Sequence, residues 1–108
     1  MSRFLCLVST NSVAGRSEEF NEWYDSQHLP DLLRVPGIVS AQRYRLAQLQ
    51  EAQSSEYEYL AIYEIQTDDL NEVPTAIAEA LRSGRMPSSP AFDRAKFSML
   101  YFEPITKK

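Results

Sequence analysis

The chain has 108 residues, 44% of them hydrophobic and 24% charged, and a formal charge of −4 at neutral pH. Such values describe one globular domain rather than a disordered chain, and the acidic balance argues against general nucleic-acid binding, which needs a basic face to displace counterions. Apolar runs stop at the length of Phe4–Val8, far short of the about 20 residues of a membrane span.

The single cysteine, Cys6, excludes an internal disulfide, and with the single histidine it leaves no Cys/His-rich metal site within one protomer. Cys6 alternates with apolar neighbours and reads as a small buried hydrophobe rather than a nucleophile. The N-terminal run carries no longer apolar stretch and no small-residue cleavage site, so a cytoplasmic, reducing location is expected.

In chain order, residues 3–10 are apolar and β-favouring and predict a first strand. Asn11 to Arg16 reads as a loop. Ser17 is a candidate helix N-cap, with Glu18 and Glu19 in the first turn where the helix dipole favours acids. Phe20, Trp23, Tyr24, Gln27 and His28 recur at helical spacing, and Pro30 is expected to end or kink that helix and to start a short turn through Leu33. Val35-Pro36-Gly37 is a turn. Residues 38–46 predict a second strand with Val39, Ala41, Arg43 and Arg45 on one face. The polar stretch 48–56 reads as a hairpin loop. Strict alternation from Tyr57 to Ile65, with Tyr57, Tyr59, Ala61, Tyr63 and Ile65 on one side, predicts the third strand.

A second helix is predicted to begin between Asp68 and Glu72, with Ile77, Ala80 and Leu81 as its apolar stripe and Gly84 as its C-terminal stop. Met86 to Pro90 is a loop, residues 96–103 predict the last strand, and Lys107-Lys108 reads as a solvated tail. The order β-α-β-β-α-β with right-handed crossovers gives a ferredoxin-like α+β domain over residues 1–108. It is a four-stranded antiparallel sheet with both helices on one face. Two short helices cover one side only, yet the strands carry large apolar residues on both. A symmetric homodimer that buries the second face and encloses a cavity is therefore expected.

Phe20-Asn21-Glu22-Trp23-Tyr24-Asp25, His28-Leu29-Pro30-Asp31-Leu32-Leu33, and the following Val35-Pro36-Gly37 and strand to Arg43-Tyr44 resemble the EthD-type members of the dimeric α+β barrel superfamily. The resemblance covers about a quarter of the chain; the remainder agrees in topology and length. It implies a ferredoxin-like protomer, a homodimer, and a pocket between the sheet and the first helix. It also implies a cofactor-independent dehydratase, cyclase, isomerase or monooxygenase acting on aromatic, polyketide-like or catabolic compounds. Some relatives bind haem.

His28 is the first candidate. Spacing alone reads it as a cap at a helix end; the resemblance makes it the motif histidine, a general acid/base. Tyr24 shares its helical face and would orient the imidazole or donate to an oxyanion, with a core aromatic as the alternative. Trp23 would wall an aromatic pocket. Asp25 and Asp31 flank the histidine and either could hold its ring nitrogen. Arg43 needs a carboxylate partner, from the protein or a substrate. Tyr59 and Tyr63, with Tyr57, would line the barrel interior as an aromatic platform for substrate. No phosphate loop, nucleotide fingerprint or nucleophile–base motif is present.

The expected function is thus a cofactor-free lyase or isomerase on a small, aromatic compound. A cofactor-free monooxygenase and a non-catalytic, ligand-binding or stress-associated homodimer are the alternatives. No membrane or nucleic-acid partner is expected.

Overall fold

A computed structural model describes residues 1–107; of the predicted Lys107-Lys108 tail, Lys108 lies outside the described residues. Among the described residues the elements run β1 (Ser2–Thr10), α1 (Ser17–Trp23), a π-helical turn (Tyr24–His28), α2 (Leu29–Leu33), β2 (Ile38–Arg45), β3 (Tyr59–Thr67), α3 (Glu72–Ser83) and β4 (Ser98–Phe102). The strands form one antiparallel sheet in the order β2-β3-β1-β4. This is the expected ferredoxin-like arrangement.

Directly opposed residues share a face, so register sorts the side chains. Cys6 stands opposite Tyr63 on one neighbour and opposite Tyr101 on the other. Phe4, Val8, Tyr59, Ala61, Ile65 and Met99 fall on that same face, which belongs to the core that Phe20, Tyr24, Leu32, Val73 and Ile77 complete from the helical layer. The other face carries Leu5, Leu7, Tyr44, Leu60, Ile62, Leu100 and Phe102. It is uncovered: Leu100 is 54% exposed and Phe102 46%.

Several expectations shift. Ser17 is not the N-cap; Arg16 occupies that position without a side-chain cap, and its guanidinium instead forks onto Glu19 at 2.7 and 2.8 Å. A β-bulge between Ile38 and Ser40 breaks the alternation of β2. Ile38 therefore joins Ala41 and Arg43 on the core face, and Val39 turns out, 50% exposed. Tyr57 precedes β3, and β4 begins two residues later than expected, at Ser98.

Two glycines hold turns that other residues would strain. Gly37 has φ +98°, and a Cβ there would meet Val73 Cγ2 at 3.3 Å. Its carbonyl accepts from Gln66 N at 2.8 Å, tying the turn to β3. Gly84 closes α3 at φ +83°, as its position after the apolar stripe predicted.

Pro30 interrupts the first helical segment rather than stopping the chain's helical course, and it starts the short turn through Leu33, as expected. The Leu29 N–H bonds back to the Tyr24 carbonyl, one residue further than in an α-helix. A regular helix would press the proline ring on the carbonyl of Ser26 and leave that carbonyl without its partner. The wider turn relieves the clash, and Pro30 then sits in the first turn of α2. His28 consequently lies mid-segment, not at a helix end where it would cap.

Candidate functional site

The π-helical turn sets the geometry of the site. Trp23 and His28, five residues apart, do not share the face of a regular helix. Here their rings stack at 4.6 Å between centroids, with 25° between planes. Tyr24 meets the imidazole edge-on at 4.8 Å and 87°. Such π-turns recur at functional sites, because the extra residue re-aims side chains that a regular helix would separate.

These three residues form one wall of a cavity of about 140 Å³ between the helical layer and the sheet. Cys6, Tyr63, Met99 and Tyr101 supply the sheet side, Ile77 and Leu81 of α3 another wall, and Met86, Phe92 and Phe97 of the 84–97 connection the rest. The cavity thus lies inside one protomer, on the helix side of the sheet. Tyr59 and Tyr63, expected as an aromatic platform for substrate, both face the helices, because they pair with Thr10 and Cys6 on the core side; Tyr63 lines this cavity and Tyr59 does not.

The hydroxyls of Tyr24 and Tyr63 hydrogen-bond each other at 2.8 Å. Tyr24 therefore contributes a ring edge to His28, while its hydroxyl serves Tyr63. Burial pushes the Tyr24 phenol up to about 12 and raises Tyr63 as well.

Arg43 does not reach the cavity. Its guanidinium lies 4.3 Å from the centroid of the Tyr24 ring, donates to Asp25 Oδ1 at 2.9 Å and to Asn21 Oδ1 at 2.8 Å, and shares a shallow surface depression with Tyr59. Its carboxylate partner comes from the protein, Asp25, so Arg43 and Tyr59 form a separate cluster from the cavity residues. Asp31 is occupied too: Gln27 donates to Oδ2 at 2.7 Å and Arg34 to Oδ1 at 2.9 Å. Both acids that were candidates to hold the imidazole are therefore engaged elsewhere.

His28 itself has a buried Nδ1 without any hydrogen-bond partner. Burial lowers its pKa from 6.5 to about 4, with Asp31 opposing and Arg43 reinforcing the shift, so the imidazole is neutral at physiological pH. The hydroxyl of Tyr101, another residue of the cavity wall, is likewise buried and makes no hydrogen bond to nitrogen or oxygen; it lies beside the Cys6 thiol. Burial raises that phenol, and it pushes Cys6 up to about 11 against the pull of neighbouring Tyr101. Cys6 is an inert wall residue, as its alternation in β1 predicted. Tyr101 escaped the sequence reading. Its signal was the alternation of β4, legible only once β4 is paired with β1.

No family model matches the chain, and no curated protein matches it. Solved structures do. An EthD family protein from Bacillus halodurans superposes with a TM-score of 0.65 at 18% identity, covering 97% of this chain and 100% of that one. An EthD-like protein from Ralstonia eutropha gives 0.60 at 13% identity, covering 100% and 96%. MhuD, a haem degrader from Mycobacterium tuberculosis solved with two haems in its active site, gives 0.63 at 17% identity, covering 97% and 98%. At these identities the likeness is one of fold: end to end, the chain has the architecture of EthD-type and related α+β barrel proteins.

Proposed function

We propose that the chain holds a small, single-ring aromatic molecule in the cavity between helices and sheet, and that His28 exchanges a proton with it. The observation that carries this reading is the place of His28, with its Trp23 stack and its unpartnered, buried Nδ1, among the residues that line a largely apolar cavity. Leaving a buried polar atom without a partner costs about 1–3 kcal/mol, a cost that a ligand removes if its entry turns the imidazole toward it. The volume fits the reading: an apolar cavity of about 150 Å³ holds one benzene ring. A porphyrin does not fit a cavity of about 140 Å³, so the haem chemistry of MhuD is not carried over.

Neutral imidazole is a base ready at every physiological pH, but one whose conjugate acid has a pKa of about 4 is weak. It suits an acidic proton, such as that of a phenol or a 1,3-dicarbonyl, more than an unactivated C–H bond. Proton removal leaves an anion beside the new imidazolium, and the attraction between them raises the imidazole's proton affinity as transfer proceeds. Returning that proton to another carbon completes an isomerisation; returning it to a leaving hydroxyl releases water. Both are cofactor-free lyase or isomerase chemistry. The exposed apolar sheet face supports a homodimer assembled through it.

Trp23, the chain's single tryptophan, stacks on His28 and reports on the site. Phenol is expected to change its fluorescence saturably, and Val8→Phe, which fills the cavity, to abolish the change. Solvent-deuterium exchange into the ring carbons of resorcinol, through its keto tautomer, is expected to outrun the uncatalysed rate with the wild type and to fall to that rate with His28→Gln. Binding without exchange would leave a non-catalytic binding protein, and no saturable response would remove the reading altogether.

A further inference from the structure

We infer that Trp23 is the positioning residue of this site: its indole, pinned to the 84–97 connection, holds the His28 ring at the angle from which it exchanges a proton. The role rests on the proposed function, because it is the chemistry of His28 that is positioned.

Trp23 is held at two points that belong to different parts of the fold. One is the His28 imidazole, stacked on the indole at 4.6 Å between centroids with 25° between planes. The other is the Pro87 carbonyl, which accepts from the indole Nε1–H at 3.2 Å. Pro87 is itself well anchored. Its connection is tied to α3 by Met86 N–H on the Ala80 carbonyl at 3.1 Å, and to the loop after β1 by Val13 N–H on the Ala91 carbonyl at 2.7 Å. The indole therefore bridges the π-helical turn and a fixed stretch of the cavity wall, and its plane shifts only by breaking that bond.

The imidazole needs such a brace. A histidine ring is ordinarily oriented by the hydrogen bond of its second nitrogen. Here Nδ1 has no partner, and the nearby acids Asp25 and Asp31 are engaged elsewhere. Orientation is left to ring contacts, Tyr24 edge-on at 87° and Trp23 against a face. An imidazole turning about its Cβ–Cγ bond sweeps out of its own plane, so a stacked indole opposes the turn.

Sealing the ring and positioning it are separable, because they act on proton transfer with opposite signs. Burial disfavours the imidazolium and weakens the base. Removing the indole admits water and strengthens the base, which by itself speeds proton removal; loss of position slows it. The ionisable groups that bear on the ring stay in place: Asp31 is held by Gln27 and Arg34, Arg43 by Asp25 and Asn21, and Tyr24 by Tyr63.

NMR titration of His28 and deuterium exchange into saturating resorcinol, in the wild type, Trp23→Leu, Trp23→Phe and Phe92→Leu, test this. Trp23→Leu is expected to raise the His28 midpoint by about one unit or more, and yet to slow exchange roughly tenfold or more. Trp23→Phe keeps a flat ring and loses the bond to Pro87. It is expected to move both readings the same way by less, and it decides the question if Trp23→Leu does not fold. Phe92 belongs to the same aromatic cluster through Trp23; Phe92→Leu is expected to lower the melting temperature with the midpoint unmoved. The inference falls if the midpoint of Trp23→Leu stays at the wild-type value, if its exchange keeps or exceeds the wild-type rate, or if Phe92→Leu moves the midpoint as far. Any of these, in a wild type that does exchange, overturns this inference alone. A wild type that exchanges no faster than the uncatalysed rate overturns the proposed proton exchange and this role with it.

Discussion

The hydroxyls of Tyr24 and Tyr63 lie 2.8 Å apart, each buried and each the other's hydrogen-bond partner. One phenol comes from the π-helical turn and the other from the middle of β3, so the bond fixes the height of the helical segment above the sheet beside the cavity.

Removing either hydroxyl leaves the other buried and unpaired. Tyr24→Phe and Tyr63→Phe are each expected to destabilise by about 1–3 kcal/mol. The double variant is expected to lose less than the sum, because it strips both partners at once and leaves no orphan. Urea denaturation of the four proteins closes the cycle. Additive losses would show that the pair is not energetically coupled.

The burial of His28 sets an acid limit on stability. The unfolded chain takes up the imidazole proton near 6.5 and the folded chain only near 4. The folded state is therefore favoured fully above pH 6.5, and the advantage is lost as pH falls from about 6.5 to about 4. Over that window the wild type is expected to lose about 3 kcal/mol relative to His28→Gln, which cancels the titration of the carboxylates. As the chain's single histidine, His28 gives one imidazole resonance whose NMR titration reads the value directly. A midpoint near 6.5 would contradict the burial described here.

Arg43 contributes through stacking more than through its ion pair. Its side chain is 14% exposed, while that of Asp25 is 65% exposed. Asp25→Asn is expected to cost less than about 1 kcal/mol, as for surface ion pairs generally. Arg43→Lys is expected to cost about 1–2 kcal/mol, because an ammonium loses both the planar contact with Tyr24 and the two-point grip on Asp25 and Asn21. Denaturation at low and high salt separates the two: only the Asp25 contribution should fade with screening.

The open sheet face predicts association. Sedimentation of the wild type at micromolar concentration is expected to show a dimer, and Leu100→Glu, opposite Leu7 on β1, a monomer with unchanged circular dichroism. A monomeric wild type would sink the dimer.

The fold was readable because its signals are local. Alternation marks β3, Gly84 stops α3 and Gly37 turns the chain into β2, each through rules that span a few residues. The Trp23, Tyr24 and His28 side of the site was readable for the same reason. Its opposite walls were not. Tyr101 takes its place from pairing across the sheet, and Phe92 and Phe97 come from a connection with no periodicity to read. Partners were less legible: Arg43 found the protein carboxylate it needs in Asp25, while spacing put Asp25 and Asp31 near His28 without showing that Arg43, Gln27 and Arg34 engage them.

The five-residue turn at Tyr24–His28 also has a phase. Each residue of an α-helix advances the next side chain by about 100°, so the π-turn acts as a one-residue insertion that rotates everything after it. Deleting Ser26, whose exposed side chain lies in that turn, would leave a more regular helix and one that is wrong for this sheet. Leu32, now buried over the cavity, would move into the place of buried Asp31 and strip the acid from its partners, and exposed Leu33 would be carried inward to the place of Leu32. Length, at this point in the chain, is as much a determinant of the site as residue identity.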